Sequence, residues 1–110
     1  RPIPGRLLRD AGCVVAVATD ANPGTAMSTD LALAAGLSVT QSGLFAEEAL
    51  VAVTAGGAAA LGLADRGVIA KGKRADLVVL NQESPLSLVY RWSDDLADVV
   101  IAGGAVVFRS

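Results

Sequence analysis

A run of five apolar residues, Val-Val-Ala-Val-Ala at positions 14–18, leads directly into Thr19 and Asp20. The run has no polar alternation, which is typical of a strand buried on both faces of a parallel sheet. We therefore predict a buried strand over residues 13–18, with Asp20 at its carboxyl end. In barrels of parallel strands, the carboxyl ends of the strands carry the chemistry. Asp20 is thus a candidate metal ligand or base, and the polar turn after it is a candidate substrate loop.

The composition is that of a folded domain without a nucleic-acid or membrane signature. The chain has 110 residues, 53% of them hydrophobic, and a net charge of −2. Its basic residues are dispersed, which argues against nucleic-acid binding, and no apolar run reaches the ~18 residues of a membrane helix. A single cysteine, Cys13, excludes an internal disulfide and favours the cytoplasm.

The chain contains no histidine. Zinc and iron sites of hydrolases are built largely from imidazole nitrogens, so this chain is expected not to assemble such a site by itself. The sequence also has no initiating Met and no apolar signal-peptide core at its start. We therefore expect it to begin inside a longer reading frame or to have been processed.

The pattern of apolar residues and glycines predicts a helical part followed, after Asp65, by a β-rich part. A first helix is predicted to end at Gly12, and a second to run from residue 29 or 30 to about 40. A third helix is predicted to begin at about 46 and to be interrupted at Gly56-Gly57, and a short fourth helix is predicted over 58–62. Strands are predicted over residues 67–70, 75–80, 97–101 and 105–108, with a helical turn over 86–90. The last two strands flank Gly103-Gly104, which favours a hairpin. No parallel neighbour is predicted for the strand over 13–18, so we expect its surface to be exposed unless another segment covers it.

Charged residues outside the loop after Asp20 are interpreted structurally. Glu47 and Glu48 fall in the first turn of a predicted helix, where they favour the helix dipole. The cluster of Lys71, Lys73, Arg74 and Asp76 falls in a turn between short strands, which is typical of a solvated hairpin or of a contact to the rest of a larger protein.

Three blocks of sequence follow one another in an order shared with one enzyme family. The first ends in Thr-Asp-Ala-Asn-Pro-Gly-Thr at 19–25, the second covers 47–63, and the third contains Gly-Lys-Arg-Ala-Asp-Leu-Val at 72–78, with the hairpin at 100–104. In these blocks the chain resembles the C-terminal part of the imidazolonepropionases, which are metal-dependent cyclic amidohydrolases. The third block marks the amidohydrolase superfamily broadly, whereas the first is narrower.

The resemblance implies an α/β fold that is the C-terminal fragment of a (β/α)8 TIM barrel, with part of a small composite β-sandwich domain. Residues 1–65 would supply the last strand and the helices of the barrel, and residues 66–110 the C-terminal strands of the composite β domain. A barrel needs ~250 residues. The expected partner is therefore the missing N-terminal part of the barrel, and a homodimer is a further expectation.

The resemblance also implies a function in histidine degradation. Metal-activated water would open the ring of 4-imidazolone-5-propanoate to give N-formimidoyl-L-glutamate. Asp20 matches the catalytic, metal-ligating aspartate, with zinc or iron as the metal and the remaining ligands outside this chain. Asn22, Gly24 and Thr25 match positions that bind the substrate. The chain alone is expected to be inactive.

Several alternatives accompany this interpretation. In one alternative, the substrate is another cyclic amide or an amidine. In another, the chain is an inactive remnant that acts as an interaction module. The structural alternative for Asp20 is an Asx-type turn or a helix cap, and the one for residues 22–25 is an ordinary turn. The chain also departs from the family: Phe45-Ala46 replaces a Thr-Pro helix start, Gly56-Gly57 replaces Asn-Ala, and residues 26–30 lack the usual Ser-Pro and Met-Pro steps.

Overall fold

The computed structural model describes residues 2–110, which form five helices and three strands. In chain order the elements are α1 (Gly5–Asp10), α2 (Leu31–Ser42), α3 (Ala46–Val53), α4 (Ala55–Ala60), β1 (Leu77–Leu80), α5 (Ser87–Tyr90), β2 (Ala97–Ala102) and β3 (Ala105–Arg109). This is a small α/β arrangement in which the helices and the sheet occupy separate regions. No helix among the described residues is long and apolar enough to cross a membrane.

The bounds of α2 follow from local signals at its two ends. Asp30 precedes the helix, and its Oδ1 accepts a 3.0 Å hydrogen bond from the backbone N–H of Leu33, which satisfies an N–H group with no partner inside the helix. Gly43 follows the helix with φ 77°, a left-handed conformation that glycine adopts without strain. The sequence predicted this helix from residue 29 or 30 to about 40, and the structure has it from Leu31 to Ser42.

The buried core lies where α2, α3 and α5 meet. Ala35, Ala49 and Val89 form this core, one from each helix. Trp92 packs directly on α2 because Gly36 has no side chain, and its Nε1 donates a 3.0 Å hydrogen bond to the carbonyl oxygen of Val89. The helical turn predicted over residues 86–90 is therefore present as α5, and it packs on helices from the first part of the chain.

The strand predicted over residues 13–18 is not formed. These residues have no regular secondary structure, and Val14 is 75% exposed. A parallel strand needs at least one hydrogen-bonded neighbour, and residues 2–110 contain no strand that pairs with this segment. The backbone N–H of Val17 instead donates to the carbonyl oxygen of Ala52, at 3.1 Å. The exposure of the segment matches the expectation for a chain without parallel neighbours.

A second predicted strand, over residues 67–70, is also wrong. Gly67 has φ 94°, outside the extended region, and Ile69 is 89% exposed. No residue of this segment pairs with another strand in the described chain. Short apolar sequences of this kind need a neighbouring strand to become part of a sheet, and none lies beside this one.

The break between α3 and α4 lies at Thr54, not at Gly56-Gly57 as predicted. Thr54 has φ −116° and ψ −90°, and its Oγ1 donates a 2.7 Å hydrogen bond to the carbonyl oxygen of Leu50. A threonine hydroxyl that bonds the preceding turn often bends or ends a helix. Both glycines lie inside α4, and Gly56 is buried there.

The three strands form one antiparallel sheet in the order β1-β2-β3. The β2–β3 turn has φ 58° at Gly103 and 84° at Gly104, the backbone that a two-residue hairpin requires. Asp76 accepts a 2.8 Å hydrogen bond from the N–H of Gly103 and so ties the entry to β1 to this turn. The hairpin around Gly103-Gly104 is therefore confirmed, and β1 is two residues shorter than predicted.

Neither face of the sheet is covered by the described chain. No helix among residues 2–110 packs on the strands. Val78 and Val79 are 55% and 48% exposed. They are successive residues of a strand, so they point to opposite faces. The sheet therefore presents apolar side chains to solvent on both sides.

Candidate functional site

Asp20 lies at the point where the segment from α1 turns into the polar loop. Its φ of 49° is left-handed, a conformation that aspartate and asparagine adopt more readily than other side chains. Its carbonyl oxygen accepts a 2.6 Å hydrogen bond from Nδ2 of Asn22. Its side chain is exposed, and no hydrogen bond or ion pair to its carboxylate occurs within residues 2–110. The carboxylate is thus presented to solvent at the head of the loop.

Asn22 organises the rest of the loop. Its Oδ1 accepts 2.9 Å hydrogen bonds from the backbone N–H groups of both Gly24 and Thr25, and its Nδ2 donates to Oγ1 of Thr25 at 2.9 Å. Its own N–H donates to the carbonyl oxygen of Ala26, at 2.8 Å, which closes the loop. The amide is therefore used within the loop, in the pattern of an Asx turn.

Gly24 allows this closure because a side chain there would crowd Asn22. A Cβ added at Gly24 would lie 3.2 Å from Oδ1 of Asn22, closer than an ordinary contact. The structure thus brings Asn22, Gly24 and Thr25 together beside the backbone of Asp20. The hydrogen bonds that unite them are those of the turn itself, so the loop is a preformed, exposed surface with one carboxylate at its edge.

The segment that leads to Asp20 rests on the junction of α3 and α4. The Val17 N–H bonds the carbonyl oxygen of Ala52 at the end of α3, and the carbonyl of Val15 lies against Gly56 in α4. The sequence pattern did not indicate this contact, because Gly56 was interpreted only as a helix interruption. A glycine within an otherwise helical run is the one local signal that points to a close approach.

Glu48 ties α1, the helix before this segment, to α3. Both of its carboxylate oxygens accept from Arg6, with Nη2–Oε2 at 2.9 Å, and Oε2 also accepts from Arg9 at 3.2 Å. Its Oε1 accepts a 2.9 Å hydrogen bond from the N–H of Phe45. The hydrogen bonds from Arg6 and from the Phe45 backbone lower the pKa of Glu48 to about 2. Sequence reasoning assigned Glu48 to the helix start but missed its ion pair with α1.

The metal donors of the described residues do not amount to a metal site. No three His, Cys, Asp or Glu side chains gather anywhere in residues 2–110. The next carboxylate along the chain after Asp20, that of Asp30, is used to cap α2. Catalytic zinc sites take three protein ligands. Asp20 can therefore contribute one ligand at most.

Comparisons with known proteins place the chain in a family. A sequence profile described as the amidohydrolase family matches residues 3–108. Among curated proteins, the chain is 47% identical to an imidazolonepropionase of Cutibacterium acnes over 94% of its length, 46% identical to one of Anaeromyxobacter dehalogenans over 100%, and 42% identical to one of Porphyromonas gingivalis over 97%. It covers 26% of each of these relatives, and so spans about a quarter of their length. The chain belongs to the amidohydrolase family.

Proposed function

We propose that the chain is the C-terminal portion of an imidazolonepropionase-like hydrolase, which opens the ring of 4-imidazolone-5-propanoate to N-formimidoyl-L-glutamate. The observation that carries the proposal is the Asp20 loop: an exposed carboxylate beside a closed turn, in a chain 42–47% identical to imidazolonepropionases. The chemistry is hydrolysis of a C–N bond in a cyclic amide. The setting is the cytoplasm, in histidine breakdown.

In this proposal Asp20 is the catalytic residue of the chain. Its carboxylate adds one ligand to a zinc or iron ion held mainly by residues outside the chain, and takes up the proton that water loses as it attacks the ring carbonyl. The exposure of the side chain supports this role, since a carboxylate used inside the fold would not be available.

Asn22, Gly24 and Thr25 bind the substrate. A small polar ring with a propionate tail needs polar groups that converge on it, and the loop offers the Thr25 hydroxyl and backbone carbonyl oxygens at a surface where Gly24 permits close approach. The internal hydrogen bonds of Asn22 support this role because they fix the loop before substrate arrives, which reduces the entropy lost on binding.

The fold of the whole enzyme follows from the same proposal. Residues 1–65 belong to the last part of a (β/α)8 barrel, and residues 66–110 to a composite β-sandwich. The segment over 13–18 becomes the last barrel strand once parallel neighbours pair with it, which its exposed position supports. The partner is the N-terminal part of the barrel, and the complete enzymes pair as a homodimer.

A second candidate function keeps the family and changes the substrate to another cyclic amide or an amidine. It is favoured by residues 26–30, which follow the loop directly and lack the proline steps of imidazolonepropionases. Met27 in this stretch is 77% exposed. A change in this exposed stretch would alter the walls of a substrate site rather than the carboxylate.

The decisive experiment is an assay of the complete enzyme that contains this chain. The enzyme is expected to hydrolyse 4-imidazolone-5-propanoate in preference to dihydroorotate or hydantoin. Asp20→Asn should lower kcat by roughly 100-fold or more, because it removes the proton acceptor. Asp30→Asn is the matched control, since asparagine caps a helix as well as aspartate does. Preference for another ring would establish the second candidate, and unchanged kcat in Asp20→Asn would overturn the role of Asp20.

A further inference from the structure

Gly56 lies directly under the segment that carries Asp20. Gly56 is buried, and a Cβ added there would overlap the carbonyl oxygen of Val15 and lie 3.2 Å from that of Val51. The overlapping atom belongs to the backbone, so no side-chain rotation relieves it. A side chain at position 56 would therefore push the whole segment away from α4.

A hydrogen bond two residues further along fixes the same approach. The N–H of Val17 donates to the carbonyl oxygen of Ala52, at 3.1 Å, and Ala52 is buried. The break at Thr54 interrupts the helix beyond Ala52, where its carbonyl meets the segment. Val15 and Val17, which make these two backbone contacts, are each half-buried between exposed neighbours.

Gly57, the next residue, has no such contact. A Cβ added at Gly57 would lie 3.9 Å from the carbonyl oxygen of Ala52, an ordinary van der Waals distance. Both glycines belong to α4 and carry the same loss of helix propensity relative to alanine. The two glycines therefore differ in their contact with the segment over residues 13–18, which only Gly56 makes, and not in their effect on the helix.

We propose that Gly56, which stands where the family that the chain resembles has asparagine, is a positioning residue of this chain: its missing side chain sets the distance between α4 and the segment over 13–18, and so determines where this chain presents Asp20 and its loop. The consequence for catalysis rests on the proposed role of Asp20. The position of the segment relative to α4 does not rest on that role. The position of the segment and the role of Asp20 are therefore measured in separate experiments.

The test is amide hydrogen exchange, followed by NMR on the labelled chain, of three proteins: the unsubstituted chain, Gly56→Ala and Gly57→Ala. In the unsubstituted chain, the Val17 amide should exchange at least about tenfold more slowly than that of Ala16, which has no backbone acceptor within residues 2–110. Gly56→Ala should abolish this difference and shift the amide resonances of Asp20 and Asn22. Gly57→Ala should leave both unchanged.

The core amides of Ala35 and Val89 report whether each variant is folded. A purely structural role for Gly56 would accelerate exchange in the core and at Val17 together, and that result would overturn the proposal, as would a protected Val17 in Gly56→Ala. If Gly56→Ala does not fold, the unsubstituted chain and Gly57→Ala provide the test. Slow exchange of the Val17 amide in both chains supports the proposal. Equal exchange rates of the Val17 and Ala16 amides contradict it. The kcat of Asp20→Asn in the complete enzyme tests the proposed function independently.

Discussion

Arg6 in α1 donates a 2.9 Å hydrogen bond through Nη2 to Oε2 of Glu48 in α3, although 42 residues separate them in the chain. The Arg6 guanidinium also lies 4.7 Å from the centre of the Phe45 ring. Phe45 stands at the helix N-terminus, and Oε1 of Glu48 accepts a 2.9 Å hydrogen bond from its N–H. One carboxylate therefore completes the start of α3 and attaches the helix that leads to Asp20.

Replacing Glu48 by glutamine should destabilise the chain, because an amide cannot accept from two arginines and the Phe45 N–H as an ionised carboxylate does. We expect the melting temperature, followed by circular dichroism, to fall by roughly 5 °C. Glu47→Gln is the matched control, since Glu47 lies in the same helical turn and is exposed. Equal losses in the two variants would show that the helix dipole, rather than the contact with α1, accounts for the effect.

Stability should fall in acid as Glu48 is protonated. Its pKa is about 2 in the folded chain, below its ordinary value of 4.5, so the ionised form is favoured by folding. Its contribution is complete above the unfolded pKa and is lost as the pH falls through the folded one. The melting temperatures of the chain and of Glu48→Gln should therefore differ most above about pH 4.5 and converge towards about pH 2.

The comparison with Glu48→Gln is needed because other carboxylates titrate in the same direction. The pKa of Asp65 is lowered by its hydrogen bonds with Arg66, and that of Asp76 by the N–H of Gly103 and by Arg74. Both remain in the variant, so they lower its stability in acid as well. A difference between the two proteins that stays constant from neutral pH to about 2 would contradict the assignment to Glu48.

The loop after Asp20 should open when the Asn22 acceptor is removed. Asn22→Ala deletes Oδ1, so the amides of Gly24 and Thr25 should exchange roughly tenfold faster or more. Asn22→Asp keeps an acceptor oxygen and loses only the Nδ2 donor, so it should retain most of the protection. Fast exchange at Gly24 and Thr25 in the unsubstituted chain would show that the loop is not preformed.

An alanine at position 36 should separate α5 from α2. Its Cβ would overlap Nε1 of Trp92 and lie 2.7 Å from the carbonyl oxygen of Val89. Overpacking of this kind costs about 1–3 kcal/mol, and the fluorescence of Trp92, the one tryptophan in the chain, should shift to the red. Gly57→Ala serves as control. Unfolding in urea, followed by this fluorescence, measures both effects, and an unchanged midpoint in Gly36→Ala would contradict the packing.

The elements that the sequence predicts correctly have their signals within a few residues. Asp30 and Gly43 bound α2, and Gly103-Gly104 forms the hairpin turn, because a cap and a left-handed turn depend on local backbone geometry alone. The Asx turn of Asn22 is of the same kind: an ordinary turn was the alternative considered for residues 22–25, although an Asx-type turn was considered only for Asp20. Local chemistry thus accounts for the shape of the candidate site.

The elements that the sequence misses depend on distant partners. Whether residues 13–18 form a strand is decided by neighbouring strands, and the described chain contains none that pairs with them. Gly56 looks like a helix interruption until Val15 lies against it. The attachment of Glu48 to Arg6 spans two helices, and neither residue's own neighbourhood reveals it. The roles of Asp20, Asn22, Gly24 and Thr25 stay predictions, because they concern groups outside the chain.

The two uncovered faces of the sheet have a consequence for the solubility of the chain. Val78 and Val79 expose apolar groups on opposite sides, and the outer edges of β1 and β3 each offer unpaired N–H and C=O groups. Such an edge is a template for any further strand. The chain should therefore be colloidally unstable: dispersed when dilute, and scattering more light per molecule as its concentration rises. The dependence of light scattering on concentration would therefore show, without an activity assay, whether another segment or protein covers the sheet.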